Sequence, residues 1–406
     1  MKQNLAQTVL VGSVCAASIA FAGPITTVPW NGYTGAVSLT YDDGRPSQLS
    51  NLIPTLDQST YSTIKVTFFL AGSIYTWPSQ KTSWIPVAAK GHELANHTQD
   101  HSTPTSTNVT QMASALRALD PSIDAASFAY PNCTVSGTNY VSAEAFVGRG
   151  CGQATYAWGT QPSDWMNVQG LIINSGAPSP GVSLINSAKS GNSWVTTIIH
   201  DVTASPDQYS LTPADNQKIL DAAKSSGCWT APYGTVGAYY RAHFTMDAVT
   251  ASGSGPWNLT WTSPHPKMPR SVPLKIKLAT ATFGSSFTVS QDNVAIPANS
   301  DGSYTIDFMK LKMTVTSGTT GIQDRTIYGK AEASAVGNSL RFEGMVPGDY
   351  TLSLRTLSGA LLERSTFHVP GSDAEVAIPA SAHGRRVLAV LDASGKDSRT
   401  LPIAIP

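Results

Sequence analysis

The sequence predicts an α/β domain of parallel strands followed by β units, and three observations carry that prediction. Over residues 36–244, apolar runs of strand length alternate with segments spaced like amphipathic helices. After Phe244 the helical spacing disappears, and short alternating runs sit between Gly, Ser, Asn and Pro turns, as in a β-sandwich. At 317–321 a Ser/Gly/Thr stretch opens a last strand-rich segment. A chain of 406 residues has room for two or three such domains.

The first 22 residues are excluded from the fold. Lys2 precedes an apolar, small-residue stretch, and Ala20-Phe21-Ala22 stands before Gly23. This is the plan of a secretory signal peptide, and the expected location is therefore secreted or cell-surface. The stretch lacks the length and flanks of a spanning helix, and no other apolar run suggests one. Strands are expected at 36–41, 65–70, 127–130, 171–173, 195–200 and 229–231, with helices at 47–59, 83–90, 110–119, 142–146, 179–190 and 213–226. The last helix is the clearest: Thr212 caps, Pro213 takes the first position, and Ile219, Leu220 and Ala223 share a face before Gly227. The resulting plan is a signal at 1–22, an α/β domain at 23–245, a β-sandwich at 246–318 and a terminal β module at 319–406.

Composition narrows the partners. Formal net charge is zero and only 13% of residues are charged, so nothing points to nucleic acid or an acidic membrane. The Ser/Thr/Asn-rich surface suits neutral ligands such as sugars. Beyond the signal remain Cys133, Cys151 and Cys228; an oxidising compartment permits a disulfide, of which Cys133–Cys151 would close a short loop, the pairing being left open, and Cys228 reads as a small buried hydrophobe.

The chemistry begins at Ala36-Val-Ser-Leu-Thr-Tyr-Asp-Asp-Gly44, where a β-branched apolar run ends on two adjacent carboxylates. Such a pair needs a counter-charge, because like charges this close repel. His97-Thr-Gln-Asp-His101 offers one: two imidazoles four residues apart, on a helical turn or a tight loop, can share a metal with a carboxylate. His92-Glu93 does not complete a His-Glu-x-x-His helix, and His92 reads as structural.

Thr40-Tyr41-Asp42-Asp43-Gly44, Thr67-Phe68-Phe69-Leu70, Gly91-His92-Glu93-Leu94-Ala95-Asn96-His97-Thr98, Phe128-Ala129-Tyr130-Pro131 and Ile198-Ile199-His200 follow in order. Together they resemble the NodB-homology polysaccharide deacetylases, carbohydrate esterase family four. The resemblance runs to about Phe244. It implies a distorted (β/α) barrel that holds one divalent metal, usually zinc, and hydrolyses acetyl groups from an acetylated polysaccharide. Carried over residue by residue, Asp43, His97 and His101 bind the metal, Asp42 is the general base and His200 the general acid.

The third motif departs from the family's Arg-x-Pro-aromatic pattern: Ala129 stands in the arginine position and Asn132 in the aromatic one. After Pro131, the backbone N–H of Asn132 can still serve an oxyanion, since it does not depend on side-chain identity. Arg149 is a candidate for the missing positive charge, and Asp164-Trp165 for the fourth motif. Tyr130 and Tyr233, with Trp77 and Trp158, are candidates for lining a sugar groove.

The β region at 246–318 resembles the sandwich appended to some of these enzymes, and Gly348-Asp-Tyr350-Thr-Leu352 weakly resembles C-terminal sorting or attachment domains. The sequence leaves O-acetyl substrates such as xylan and N-acetyl ones such as chitin or peptidoglycan open, with the altered motif and the β units favouring plant-type polysaccharide. Other readings are a metal-dependent amidase acting on cell-wall peptides, or a carbohydrate-binding surface protein without activity.

Overall fold

The computed structural model describes residues 23–317, 332–336, 338–345, 347–356, 360–382, 386–393 and 398–404. The expected signal at 1–22 and all but the first residue of the 317–321 linker lie outside them. The chain divides into two units, 1–317 and 318–406. Among the described residues no helix is long and apolar enough to cross a membrane.

The first unit opens with β1 (Ile25–Thr27) and then builds a nine-stranded sheet. Its strands are β2 (Ala36–Asp43), β3 (Thr67–Leu70), β4 (Glu93–Asn96), β5 (Ser127–Ala129), β6 (Val147–Arg149), β7 (Tyr156–Ala157), β8 (Leu171–Ile172), β9 (Ser193–Ile199) and β10 (Trp229–Thr230). All pairings in it are parallel except that of β7 with β9. The order runs β6-β5-β4-β3-β2-β9, with β10 beside the start of β2 and β8 beside the end of β9. Between β6 and β8 the ring is closed by backbone bonds rather than by a regular ladder: Val168 N–H donates to Gly148, Gly170 to Gly150 and Gly152 to Gly170. The result is the distorted (β/α) barrel that the motifs imply.

β2 shows why the barrel forms. Every residue of it is buried, as expected of a parallel strand covered on both faces. Val37, Leu39 and Tyr41 pack outward with Leu52, Leu94, Ile199 and Ile219, while Ser38, Thr40 and Asp42 turn their polar atoms inward.

The expected helix at 110–119 starts earlier, at Ser106, because Thr105 and Asn108 form a reciprocal capping box. The expected helix at 213–226 spans Pro213–Ser225, with Thr212 accepting from the Asp215 N–H. The helix expected at 47–59 is a π-helical turn, Gln48–Leu52, joined to a short α-helix, Ile53–Leu56.

Several elements escape the sequence expectations, β1 and β7 among them. β4 and β6 are only four and three residues long, too short to show a period. Helix Tyr233–Met246 carries two glycines and several aromatic and β-branched residues, which hide its helical character. It is buried nearly all round, and packing rather than propensity holds it.

Beyond this helix come β11 (Trp257–Thr260), β12 (Pro273–Leu278), β13 (Phe287–Gln291), β14 (Val294–Ile296), β15 (Tyr304–Asp307) and β16 (Lys312–Ser317). They form two antiparallel sheets, β1-β12-β15 and β11-β16-β13-β14. β1 thus belongs to the sandwich, with Ile25 opposite Leu278, so the boundary expected at 245 is crossed by the chain's first described strand. One apolar cluster runs from Trp194, Tyr233 and Tyr240 through Met246 to Leu274, Ile306 and Val315, and barrel and sandwich share it.

The second unit, by itself, holds two antiparallel sheets. One contains strands Glu332–Val336, Ser339–Glu343 and Ala374–Ala377; the other contains Leu361–Val369, Gly348–Thr356, Arg386–Ala393 and Ser398–Ala404. Leu340, Phe342, Tyr350, Leu352, Leu354, Val387 and Leu391 form its core.

Candidate active site

The chemically equipped residues gather at the C-terminal rim of the barrel, where strands hand over to loops. β2 ends on Asp42 and Asp43, His97 follows β4, the Tyr130–Cys133 segment follows β5, Cys151 follows β6, and His200 follows β9. All of these except Pro131 line one cleft of about 500 Å³, together with Arg45, Ile74, Tyr75, Ile172, Ile198 and Tyr209.

Asp43 takes a left-handed backbone (φ 74°), and Gly44 follows at 71°. The turn is available because Gly44 has no side chain; a Cβ there would stand 2.9 Å from Leu70 Cδ2. His97 and His101 converge from a loop rather than a helix. Thr98 and His101 both have positive φ, and Asn96 ties the turn down by accepting from the Thr98 N–H and donating to the Val109 carbonyl. His97 Nδ1 lies 2.8 Å from the Ala129 carbonyl oxygen. A carbonyl only accepts, so Nδ1 carries the proton and Nε2 keeps its lone pair for the cleft.

Asp43 Oδ1 then stands 3.2 Å from His101 Nε2 and 3.5 Å from His97 Nε2, and the three side chains offer ligand atoms within 4.8 Å of one another. Asp43 Oδ1 is buried without a hydrogen-bond partner. Burial pushes this carboxyl up, but its contacts with His101 and His97 outweigh that and hold it well below the usual carboxylate range. Its contact with Asp43 in turn raises His101. An orphaned, anionic oxygen beside two imidazole nitrogens, open to a cleft, fits a divalent cation of the zinc type. This is the set expected from the motifs.

Asp42 is 3% exposed and divided in its bonding. Oδ2 accepts from Arg149 Nη2 at 2.6 Å, whereas Oδ1 has no partner. Arg149, on β6, is itself buried, with Nη1 3.4 Å from Thr40 Oγ1 and its guanidinium 4.9 Å above the Phe69 ring. The positive charge absent at Ala129 is therefore present at Arg149. His200 Nδ1 lies 3.3 Å from the Tyr209 carbonyl oxygen, which leaves Nε2 as its free nitrogen; this carbonyl, not Asp201, orients the ring.

Several residues at this site went unnoticed in the sequence, Tyr209 and Tyr75 among them, and two matter most for its geometry. Gln48 Nε2 donates to the carbonyl oxygens of both Asp42 and His200, each at 2.6 Å, and so ties together the strand ends that present them. Arg45 bonds Asp43 Oδ2 at 3.2 Å and Asp207 at 2.8 Å, and stacks on Tyr75 at 4.8 Å. Only its place two residues after Asp43 could have flagged Arg45, and Gln48 carries no local signal.

Other expectations fare differently. Asn132 is exposed on the cleft wall in a left-handed conformation (φ 52°), while Pro131 and Tyr130 are buried. Tyr130 is among the residues lining the cleft; its hydroxyl is buried without a partner, and burial pushes that hydroxyl up. The Cys133–Cys151 disulfide is formed beside them, and Cys228 is buried and free.

Tyr233 needs correction as a groove residue: it is wholly buried, and its hydroxyl donates to the carbonyl oxygens of Gly148 and Val168. It opens the unforeseen helix, which explains the misplacement. Trp77 is a core residue, and Trp158 packs on Trp30 and His243, so neither serves the cleft. Asp164 is exposed, accepts from the Met166 N–H and lies outside the cleft lining. His92 is buried and structural, its Nδ1 accepting from the Val66 N–H. A second cavity of about 430 Å³, lined by His92, Glu93 and Trp229 among others, sits at the opposite end of the strands and includes none of the site residues.

The barrel rim thus brings Asp43, His97 and His101 together as a group that could hold one metal ion. Residues 32–135 match the family model described as polysaccharide deacetylase. Residues 32–135 therefore carry a polysaccharide deacetylase domain.

Comparison with curated protein sequences gives no match. Among solved structures, a chitin deacetylase from Colletotrichum lindemuthianum is 17% identical, with 57% of this chain and 92% of that one covered, at a TM-score of 0.32. The catalytic domain of a peptidoglycan N-acetylglucosamine deacetylase from Eubacterium rectale is 18% identical, covering 50% and 90%, at 0.34. A peptidoglycan deacetylase from Bacillus subtilis is 14% identical, covering 51% and 91%, at 0.33.

Proposed function

We propose that this protein is exported and hydrolyses acetyl groups from a polysaccharide, with Asp42 as base and His200 as acid. The observation that carries the proposal is the split in the aspartate pair. Asp43 stands with His97 and His101 as a ligand set, while Asp42 keeps Oδ1 unpartnered beside them. Asp43, His97 and His101 would hold a divalent ion, zinc by the chemistry of the donors, which would supply Lewis acidity to the reaction.

The chain's own residues supply the rest. Asp42 Oδ1 removes the proton of the attacking water. The Asn132 backbone N–H donates to the oxyanion that develops on the carbonyl. His200 Nε2, with its other nitrogen on the Tyr209 carbonyl, returns a proton to the leaving sugar oxygen or nitrogen. Ile172, Ile198 and the Cys133–Cys151 pair make part of the wall apolar, which suits an acetyl methyl group. The disulfide supports an oxidising destination and so the secreted location.

Acetate release from acetylated xylan, chitin oligomers and peptidoglycan, measured side by side, tests the function and identifies the polymer. The altered third motif and the appended β domains favour acetylated xylan. Release from at least one polymer, abolished by a strong chelator and restored by zinc, is the expected result. Retention of the polymers with no release from any would leave a binding protein.

A further inference from the structure

We propose that Arg149 is the positioning residue for Asp42, acting from β6 in place of the arginine that the third motif lacks at Ala129. The inference rests on the deacetylase reading above and goes on to assign the residue that aims its base. Ala129 on β5 and Arg149 on β6 are direct register partners in a parallel pair. Register partners project from the same face of a sheet, and neighbouring strands lie about 4.8 Å apart, a shift that a long arginine side chain can span. A guanidinium moved by one strand therefore reaches the same place inside the barrel.

The bonding is what a positioning residue requires. Arg149 occupies Asp42 Oδ2 and leaves Oδ1 alone, so the carboxylate has one fixed oxygen and one free oxygen at the cleft. The guanidinium is fixed in its turn by Thr40 and by the Phe69 ring. Cys133 and Cys151 lie just past the ends of β5 and β6, and their disulfide joins the two strands beside the cleft with a Cα separation of 5.3 Å. The altered third motif is thus a relocation of charge, not the mark of a barrel that has lost its activity.

The test uses the full chain and whichever of acetylated xylo-oligosaccharide or chitin tetramer the native protein deacetylates. Arg149→Met, Arg149→Lys, Arg149→Ala and the double variant Ala129→Arg with Arg149→Ala are compared for metal content, melting midpoint, kcat and KM. Arg149→Met is expected to keep one metal per chain and a near-native KM while kcat falls about 10- to 100-fold. Lysine should restore less than arginine, because it cannot present a planar fork. The double variant should recover kcat at least about tenfold over Arg149→Ala, since it returns the guanidinium from the neighbouring strand.

A folded, metal-loaded Arg149→Met with native kcat overturns the proposal, as does a folded double variant with no recovery. If Arg149→Met does not fold, Arg149→Lys decides: reduced kcat at an unchanged melting midpoint supports the role, and unchanged kcat overturns it. A native protein inactive on every acetylated polymer overturns the deacetylase reading instead, and is seen before any variant is made.

Discussion

Asp42 and Asp43 are neighbours in sequence and the same residue type, yet their surroundings differ. Asp43 meets His97 and His101, and Asp42 meets Arg149. The first association was legible in the sequence because a carboxylate pair and a His-x-x-x-His spacing are local patterns. The second was only a candidate, because it depends on which strand lies beside which. Replacing His101 with Ala should abolish stoichiometric zinc binding, measured by metal analysis after dialysis, with little change in melting temperature since its side chain is 24% exposed. His92 supports a pH prediction. Burial, aided by Lys65, lowers it to about 4 from the usual 6.5, so between those values the unfolded chain binds a proton that the folded one does not. Stability should therefore decline as pH falls from about 6.5 to 4. In His92→Asn that decline should be shallower, as read from melting midpoints across the window; an unchanged slope would show that His92 does not contribute to it.

At the scale of elements, the strands that could be read were those with long apolar runs, and those missed were held by partners distant in sequence. β4 lies inside a motif but is too short to show a period, and helix Tyr233–Met246 is defined by what it packs against. Glu93 is the joint between them: it accepts from Thr67, Ser127 and the Gly234 N–H near the start of that helix. A Cβ at Gly234 would stand 2.2 Å from Glu93 Oε1, so Gly234→Ala should destabilise the barrel by about 1–3 kcal/mol in denaturant melts. Gln48 joins β2 to β9 at the rim by bonding both the Asp42 and His200 carbonyls. Gln48→Leu leaves one buried and one part-buried carbonyl without that donor, and kcat should fall while one zinc per chain is retained. Loss of zinc with kcat would instead place the damage at the ligands.

On the scale of the whole molecule, the change of texture after Phe244 was legible, but the way the pieces join was not. β1 returns to pair with β12, and the barrel's last helix shares a core with the sandwich. A chain ending after Ser317 should keep acetate release, whereas one ending after residue 245 should be insoluble or fail to melt cooperatively, because it exposes that shared face. The central claim about the molecule is that a ligand set and a separate, aimed base stand side by side on its rim. Asp42→Asn, compared with the native protein for both bound zinc and acetate release from the polymer it prefers, addresses this most directly. One zinc per chain with kcat lowered about 10²- to 10⁴-fold is the predicted result. Acetate released at the native rate by the zinc-loaded Asp42→Asn protein would contradict it.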